Sequence, residues 1–154
     1  MQYIEAIQEE VTQHPSVFLA GGITNCPDWQ VCIAQGLQDL DITIFNPRRK
    51  NFPIDDPLAS RAQIEWEYKK LREADIVSFW FSEGSINPIT LFEYGAALER
   101  EYAPVIVGTH PLYARRSDVE IQTALQRPMM LVRSSVDELI HEIRNEFEKI
   151  KHVE

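Results

Sequence analysis

The chain has 154 residues, 44% hydrophobic and 25% charged, an ordinary composition for one globular domain spanning residues 1–154. Such a length buries roughly 68–70% of the surface of the unfolded chain. Fifteen basic against twenty-four acidic residues give a net charge of −9, which argues against duplex nucleic acid or an anionic membrane as the main partner. Cys26 and Cys32 have neither redox-pair nor zinc spacing and suit a reducing compartment. The four histidines are scattered without metal-ligand spacing, so no metal is expected. Met1 to Thr12 carries acidic residues where a signal peptide needs positive charge, and no segment reaches the length of a membrane span. A cytoplasmic location is the expectation.

Ile4, Ile7 and Val11 mark one face of a short helix that closes before His14-Pro15. Val17 to Ala20 reads as the first strand, followed at once by Gly21-Gly22. A helix from about Asp28 carries Trp29, Cys32, Ile33 and Leu37 at helical spacing. Ile42 to Phe45 is a second strand, stopped by Asn46-Pro47, and a Pro- and Asp-containing loop runs to about Leu58. The next helix, from about Ser60 to Ala74, is expected to turn Ile64, Tyr68 and Leu71 inward. Ile76 to Phe81 is the third strand, a continuous β-branched and aromatic run of the kind buried on both faces. Pro88 sits where its missing N–H costs little, at the start of a helix reaching about Glu101. Val105 to Gly108, a short helix near Asp118 to Leu125, Met129 to Val132 and a terminal helix from Val136 to about Lys151 complete the chain. The alternation of strands and helices indicates a three-layer α/β sandwich of flavodoxin-like type. Its five-stranded parallel sheet is expected in the order 2-1-3-4-5.

In that order the crevice opens beyond the carboxyl ends of the first and third strands. Two loops meet there, Gly21-Gly22-Ile23-Thr24-Asn25 and Ser82 to Pro88. Glycines directly after a strand let a backbone approach a ligand closely, although a plain tight turn accounts for them equally well. There is no Gly-x-Gly-x-x-Gly and no phosphate loop with its lysine, which argues against a dinucleotide oxidoreductase or P-loop nucleotidase. Glu93 falls in about the second turn of its helix, and helical side chains tilt toward the N-terminus, here toward the crevice. Gln63 and Glu67, four apart, share a face of the preceding helix. Two carboxylates in one crevice are the minimum equipment for cleaving a glycosidic bond. The residues alone fit solvated helix glutamates as well. Asn46-Pro47-Arg48-Arg49-Lys50 is a dense basic cluster in an acidic chain, suited to a phosphate or to a solvated loop paired with Asp55 and Asp56.

Three segments carry a resemblance. Val17 to Ile23 resembles the opening Tyr-x-Ala-Gly-Pro/Gly motif of the nucleoside 2-deoxyribosyltransferase superfamily, which also includes the deoxynucleoside monophosphate N-glycosidases. Glu67 stands eight before Asp75, as an acidic residue of that superfamily does before the third strand. Asn87 to Ala97 is similar to Asp-x-Gly-Thr-x-x-Glu-x-Gly-x-Ala, matching at Thr90, Glu93, Gly95 and Ala97. The chain departs from the pattern at Asn87, at Ile89, at Glu67 where Asp is usual, and at Phe18 in place of tyrosine.

The resemblance implies cleavage or exchange of the N-glycosidic bond of a (deoxy)nucleoside or its 5′-monophosphate, without a cofactor. Glu93 would be the nucleophile and Glu67 the second catalytic carboxylate. Gly21, Gly22, Ile23, Asn25, Arg48, Gln63, Asn87 and Thr90 are the expected substrate-binding residues. It also implies a homo-oligomer. Two other functions fit the same fold: a non-catalytic nucleotide-binding or signalling module, and a glycohydrolase of a larger nicotinamide or cyclic ADP-ribose-type nucleotide.

Overall fold

The structure, a computed structural model, describes residues 1–53, 55–100 and 103–152. Its strands are β1 (Gln2–Glu5), β2 (Ser16–Gly21), β3 (Thr43–Asn46), β4 (Ile76–Phe81), β5 (Val105–Thr109) and β6 (Val132–Arg133). Its helices are α1 (Trp29–Gly36), α2 (Ala59–Glu73), α3 (Pro88–Leu98), α4 (Arg116–Gln126) and α5 (Val136–Lys151). The strands form one parallel sheet in the order β1-β3-β2-β4-β5-β6. Among the described residues no helix is long and apolar enough to cross a membrane.

The sheet therefore has six strands where five are expected from the sequence. The segment around Ile4, expected as a helix, is instead β1, paired with β3 through Ile4 and Phe45. Ile4 is fully buried, Ile7 leaves the strand at φ 65°, and Val11 is 88% exposed. The apolar spacing of these three residues thus reflects no shared helix face. The other five strands run β3-β2-β4-β5-β6, the expected order with a strand added at one edge. The last strand is shorter than expected, because Met129 and Leu131 stay exposed and pairing begins at Val132. The expected helix end at Glu101 lies outside the described residues.

Side chains alternate across the strands and so feed two separate cores. Phe18, Ala20, Phe45, Val77, Phe79 and Phe81 pack with α2, α3 and α4. Val17, Leu19, Ile44, Ile76 and Trp80 pack with α1 and α5. Trp29, Ile33 and Leu37 are buried there as their spacing predicts, while Cys32 is exposed. α2 is rotated from the expected orientation. Ile64 and Tyr68 are exposed, and Trp66, Lys70 and Leu71 face the sheet. The Trp66 ring meets Phe18 and Phe45, and the Lys70 ammonium lies 4.9 Å over the Phe45 ring while paired with Glu73. Burying the wide indole and the lysine stem outweighs the Ile64–Tyr68 stripe, which is left toward α3.

At the amino edge of the sheet, Asp75 Oδ2 accepts 2.7 Å hydrogen bonds from the Ser16 N–H and hydroxyl and lies 2.7 Å from His14 Nδ1. Burial works against the charge on Asp75, yet these partners hold its carboxyl below the ordinary range. The clamp ties the start of β2 to the start of β4, two strands that stay paired as far as Gly21 and Trp80.

Candidate active site

β2 and β4 are neighbours, but the chain leaves them in opposite directions across the sheet, β2 toward β3 and β4 toward β5. Their connections must part at the carboxyl edge, and a cleft of about 260 Å³ opens there. One wall is the β2 loop. A side chain at Gly21 would collide with Trp29 and the Trp80 carbonyl, and one at Gly22 with Asn87 and Cys26. The Trp29 indole N–H donates to the Gly22 carbonyl at 3.0 Å, fixing the loop from below. The opposite wall is the start of α3, where Asn87 takes a left-handed conformation (φ 51°) and Pro88 opens the helix. Asparagine tolerates that conformation better than most residues. Tyr113, in the turn after β5, donates to the Ile86 carbonyl at 2.7 Å and steadies the approach to Asn87.

Glu93 of α3 and Glu67 of α2 both line this cleft. Burial, and secondarily the nearby Glu67 carboxylate, push Glu93 up to about 7 from its ordinary value of 4.5. Burial also raises Glu67, opposed by a hydrogen bond from Gln63 Nε2 to Glu67 Oε1 at 2.8 Å. Near neutral pH Glu93 therefore exchanges its proton readily, beside a second carboxyl that burial also raises. The cleft adjoins a larger groove of about 730 Å³ between α2 and α3, and Thr24, Glu67, Ile89 and Glu93 border both. Ile64, Tyr68 and Phe92, all exposed, supply much of the groove's apolar wall.

Of the residues expected at the site, Gly21, Gly22, Ile23, Glu67, Asn87, Thr90 and Glu93 are brought together around the cleft. Gln63 borders the groove instead. Asn25 is exposed at the loop tip, in a left-handed conformation, outside the cleft lining. Arg48 is turned away from it. Its Nε donates to Gln30 Oε1 at 3.1 Å and its Nη2 to the carbonyls of Cys26 and Pro27 at 3.2 and 3.0 Å. The guanidinium thereby braces the glycine loop from behind. Phe18, Ala20, Thr24, Pro47 and Ser85 also line the cleft, though none is among the expected binding residues. Thr24 and Ser85 lie inside the two loops singled out by sequence, whereas nothing local marks Trp29 or Tyr113 as their supports.

The three segments that carry the resemblance thus meet in space, with the two acidic side chains sharing one cleft. Residues 14–112 match the family model of "nucleoside 2-deoxyribosyltransferase like" proteins, more than half of the chain. The chain belongs to this family, whose general chemistry is glycosyl transfer or N-glycosidic bond cleavage on nucleosides. No curated protein matches it significantly.

The raised pKa of Glu93 has a consequence for stability. A carboxyl whose folded value lies above its unfolded one adds stability that is fully present below about pH 4.5 and is lost as pH rises through about 7. Glu93→Gln keeps the shape without the charge, so it should stabilise the fold at pH 8 by about 1–3 kcal/mol and change it little at pH 4.5. Urea unfolding at the two pH values measures this. Equal stability of variant and wild type at pH 8 would show that ionised Glu93 is not strained in the fold.

Proposed function

We propose that the protein cleaves or exchanges the N-glycosidic bond of a (deoxy)nucleoside or its 5′-monophosphate through a covalent intermediate on Glu93. The observation that carries this reading is the pairing of Glu93 with Glu67 in one cleft, with Glu93 raised to about 7. The Glu93 carboxylate attacks C1′ of the sugar while the C1′–N bond breaks and its electron pair leaves with the base. Glu67 handles the proton at the leaving base. Water or a second base then attacks C1′, releases Glu93, and restores the original configuration after two inversions. A pKa near 7 makes Glu93 more basic than an ordinary glutamate and still half ionised at neutral pH.

The sugar hydroxyls are assigned to Asn87, Ser85, Thr90 and the backbone of Gly22 to Thr24, all on the cleft walls. Among the described residues no lysine or arginine lines the cleft, and Arg48 is engaged with carbonyls. This favours the nucleoside over its monophosphate. A non-catalytic binding module would gain nothing from holding two mutually repelling carboxylates half-buried.

Glu93→Gln should abolish turnover of a nucleoside panel assayed by chromatography, with binding largely kept. Glu67→Gln should slow it by roughly 10²–10⁴-fold and move the acid limb of kcat/KM to lower pH, because it removes one cause of the raised Glu93. Substantial activity in purified Glu93→Gln would contradict the role of Glu93.

The reading includes a homo-oligomer. Ile64, Tyr68, Ile89 and Phe92 form an exposed apolar face around a groove that opens onto the carboxylates, and a second copy covering it would exclude water from them. Light scattering should report more than one copy per particle, and Phe92→Glu should reduce it to one. A monomeric wild type at assay concentration would remove this element.

A further inference from the structure

Gln63 was expected on the substrate, but its side chain is engaged elsewhere. The Nε2 group donates to the Pro47 carbonyl at 2.9 Å and to Glu67 Oε1 at 2.8 Å. Both neighbours accept hydrogen bonds, so the amide nitrogen has to face them, and the opposite flip would set three oxygens against one another. Pro47 is buried at the end of β3 and lines the cleft, as Glu67 does. The amide is therefore a strut from the cleft floor to a carboxylate one helical turn further along α2. Glu67 has no other side-chain hydrogen bond among the described residues. Without the strut it would have a glutamate's usual rotamer freedom inside an open groove.

We infer that Gln63 is a positioning residue, holding the Glu67 carboxylate at the reacting position instead of binding the substrate. The inference rests on the glycosidic reading for what Glu67 does there, but not for where Gln63 holds it. The group that faces Glu67 from α3 is Glu93, which repels it. Arg72 and Arg100 border the groove beyond, and Arg48 is turned to the Cys26 and Pro27 carbonyls. A neutral donor suits this place. A lysine or arginine would quench the charge of Glu67 and pull it from Glu93, whereas an amide fixes it and leaves its charge to act on its neighbour. The Gln63 Oε1 atom is buried and without a partner, which keeps the whole amide dependent on its two acceptors for orientation.

The test is Gln63→Met, which conserves length and volume but removes the donor, with thermal unfolding as a check on the fold. Two readouts separate the inference from the reading beneath it. The first is titration of the carboxyl carbons by NMR in the ligand-free protein, with Glu67→Gln used for assignment. The Glu67 midpoint should move to higher pH in Gln63→Met, since the hydrogen bond now favours the charged form. An unmoved midpoint overturns the inference, whether or not any substrate is turned over. The second is a double-mutant cycle on nucleoside turnover. Gln63→Met alone should lower kcat by roughly ten- to a hundred-fold, the equivalent of one hydrogen bond to a charged group, with KM little changed. In the Glu67→Gln background it should do almost nothing further. A loss confined to KM, or losses that simply multiply, would place Gln63 on the substrate and overturn the inference.

Discussion

Burying a carboxylate raises its pKa, and placing a second one beside it raises it further, because each ionised group opposes the other. Glu93 and Glu67 stand in that relation, and much of the surrounding architecture serves to keep them there. They come from α3 and α2, which lie on one face of the sheet with the groove between them. Their convergence depends on β2 and β4 being adjacent while their connections leave in opposite directions. The Asp75 clamp joins the same two strands at the opposite edge. The crevice at one end of the β2–β4 pair is thus matched by a tightly hydrogen-bonded anchor at the other.

The loops between these elements are held by polar contacts that do not enter the cleft. Trp29 secures the Gly22 carbonyl, Arg48 secures those of Cys26 and Pro27, and Tyr113 secures that of Ile86. Each donor comes from a different element, and each acceptor is a backbone carbonyl beside the glycine loop or the Asn87 turn. A loop fixed through its main chain keeps its side chains and N–H groups free for a ligand. The basic cluster after β3 illustrates the difference between charge and use. Arg48 looks like a phosphate ligand when read as a charge, but its fork geometry is spent on three oxygens of the protein.

The fold was legible wherever local pattern and tertiary burial agree. The run Ile76 to Phe81 is wholly buried as β4, and the Pro88 start of α3 and the Val136 start of α5 fall where the sequence pattern puts them. Legibility failed where a long-range contact decides. Gln2 to Glu5 becomes a strand only because the edge of β3 is free to pair, and nothing within that short segment says so. Ile64 and Tyr68 follow helical spacing correctly, yet Trp66 and Lys70 win the inward face because Phe18 and Phe45 wait beneath them. At the site, the places of Glu93 and the glycine loop follow from topology, since a strand's end and a helix's first turns share one edge. Glu67, deeper in α2, stands out instead through its place eight before Asp75 in the resemblance. The directions of Arg48 and Gln63 do not, because a long side chain can reach either side of a loop and only the carbonyls present decide.

The central claim is that the glycosidic bond is exchanged for an ester on Glu93. It is tested most directly by quenching the protein in acid during turnover of a nucleoside and weighing its peptides by mass spectrometry. The account predicts the added mass of the sugar on the peptide containing Glu93 and none on that containing Glu67. Steady turnover with the Glu93 peptide unmodified at every quench time, or the sugar found on Glu67, would contradict it.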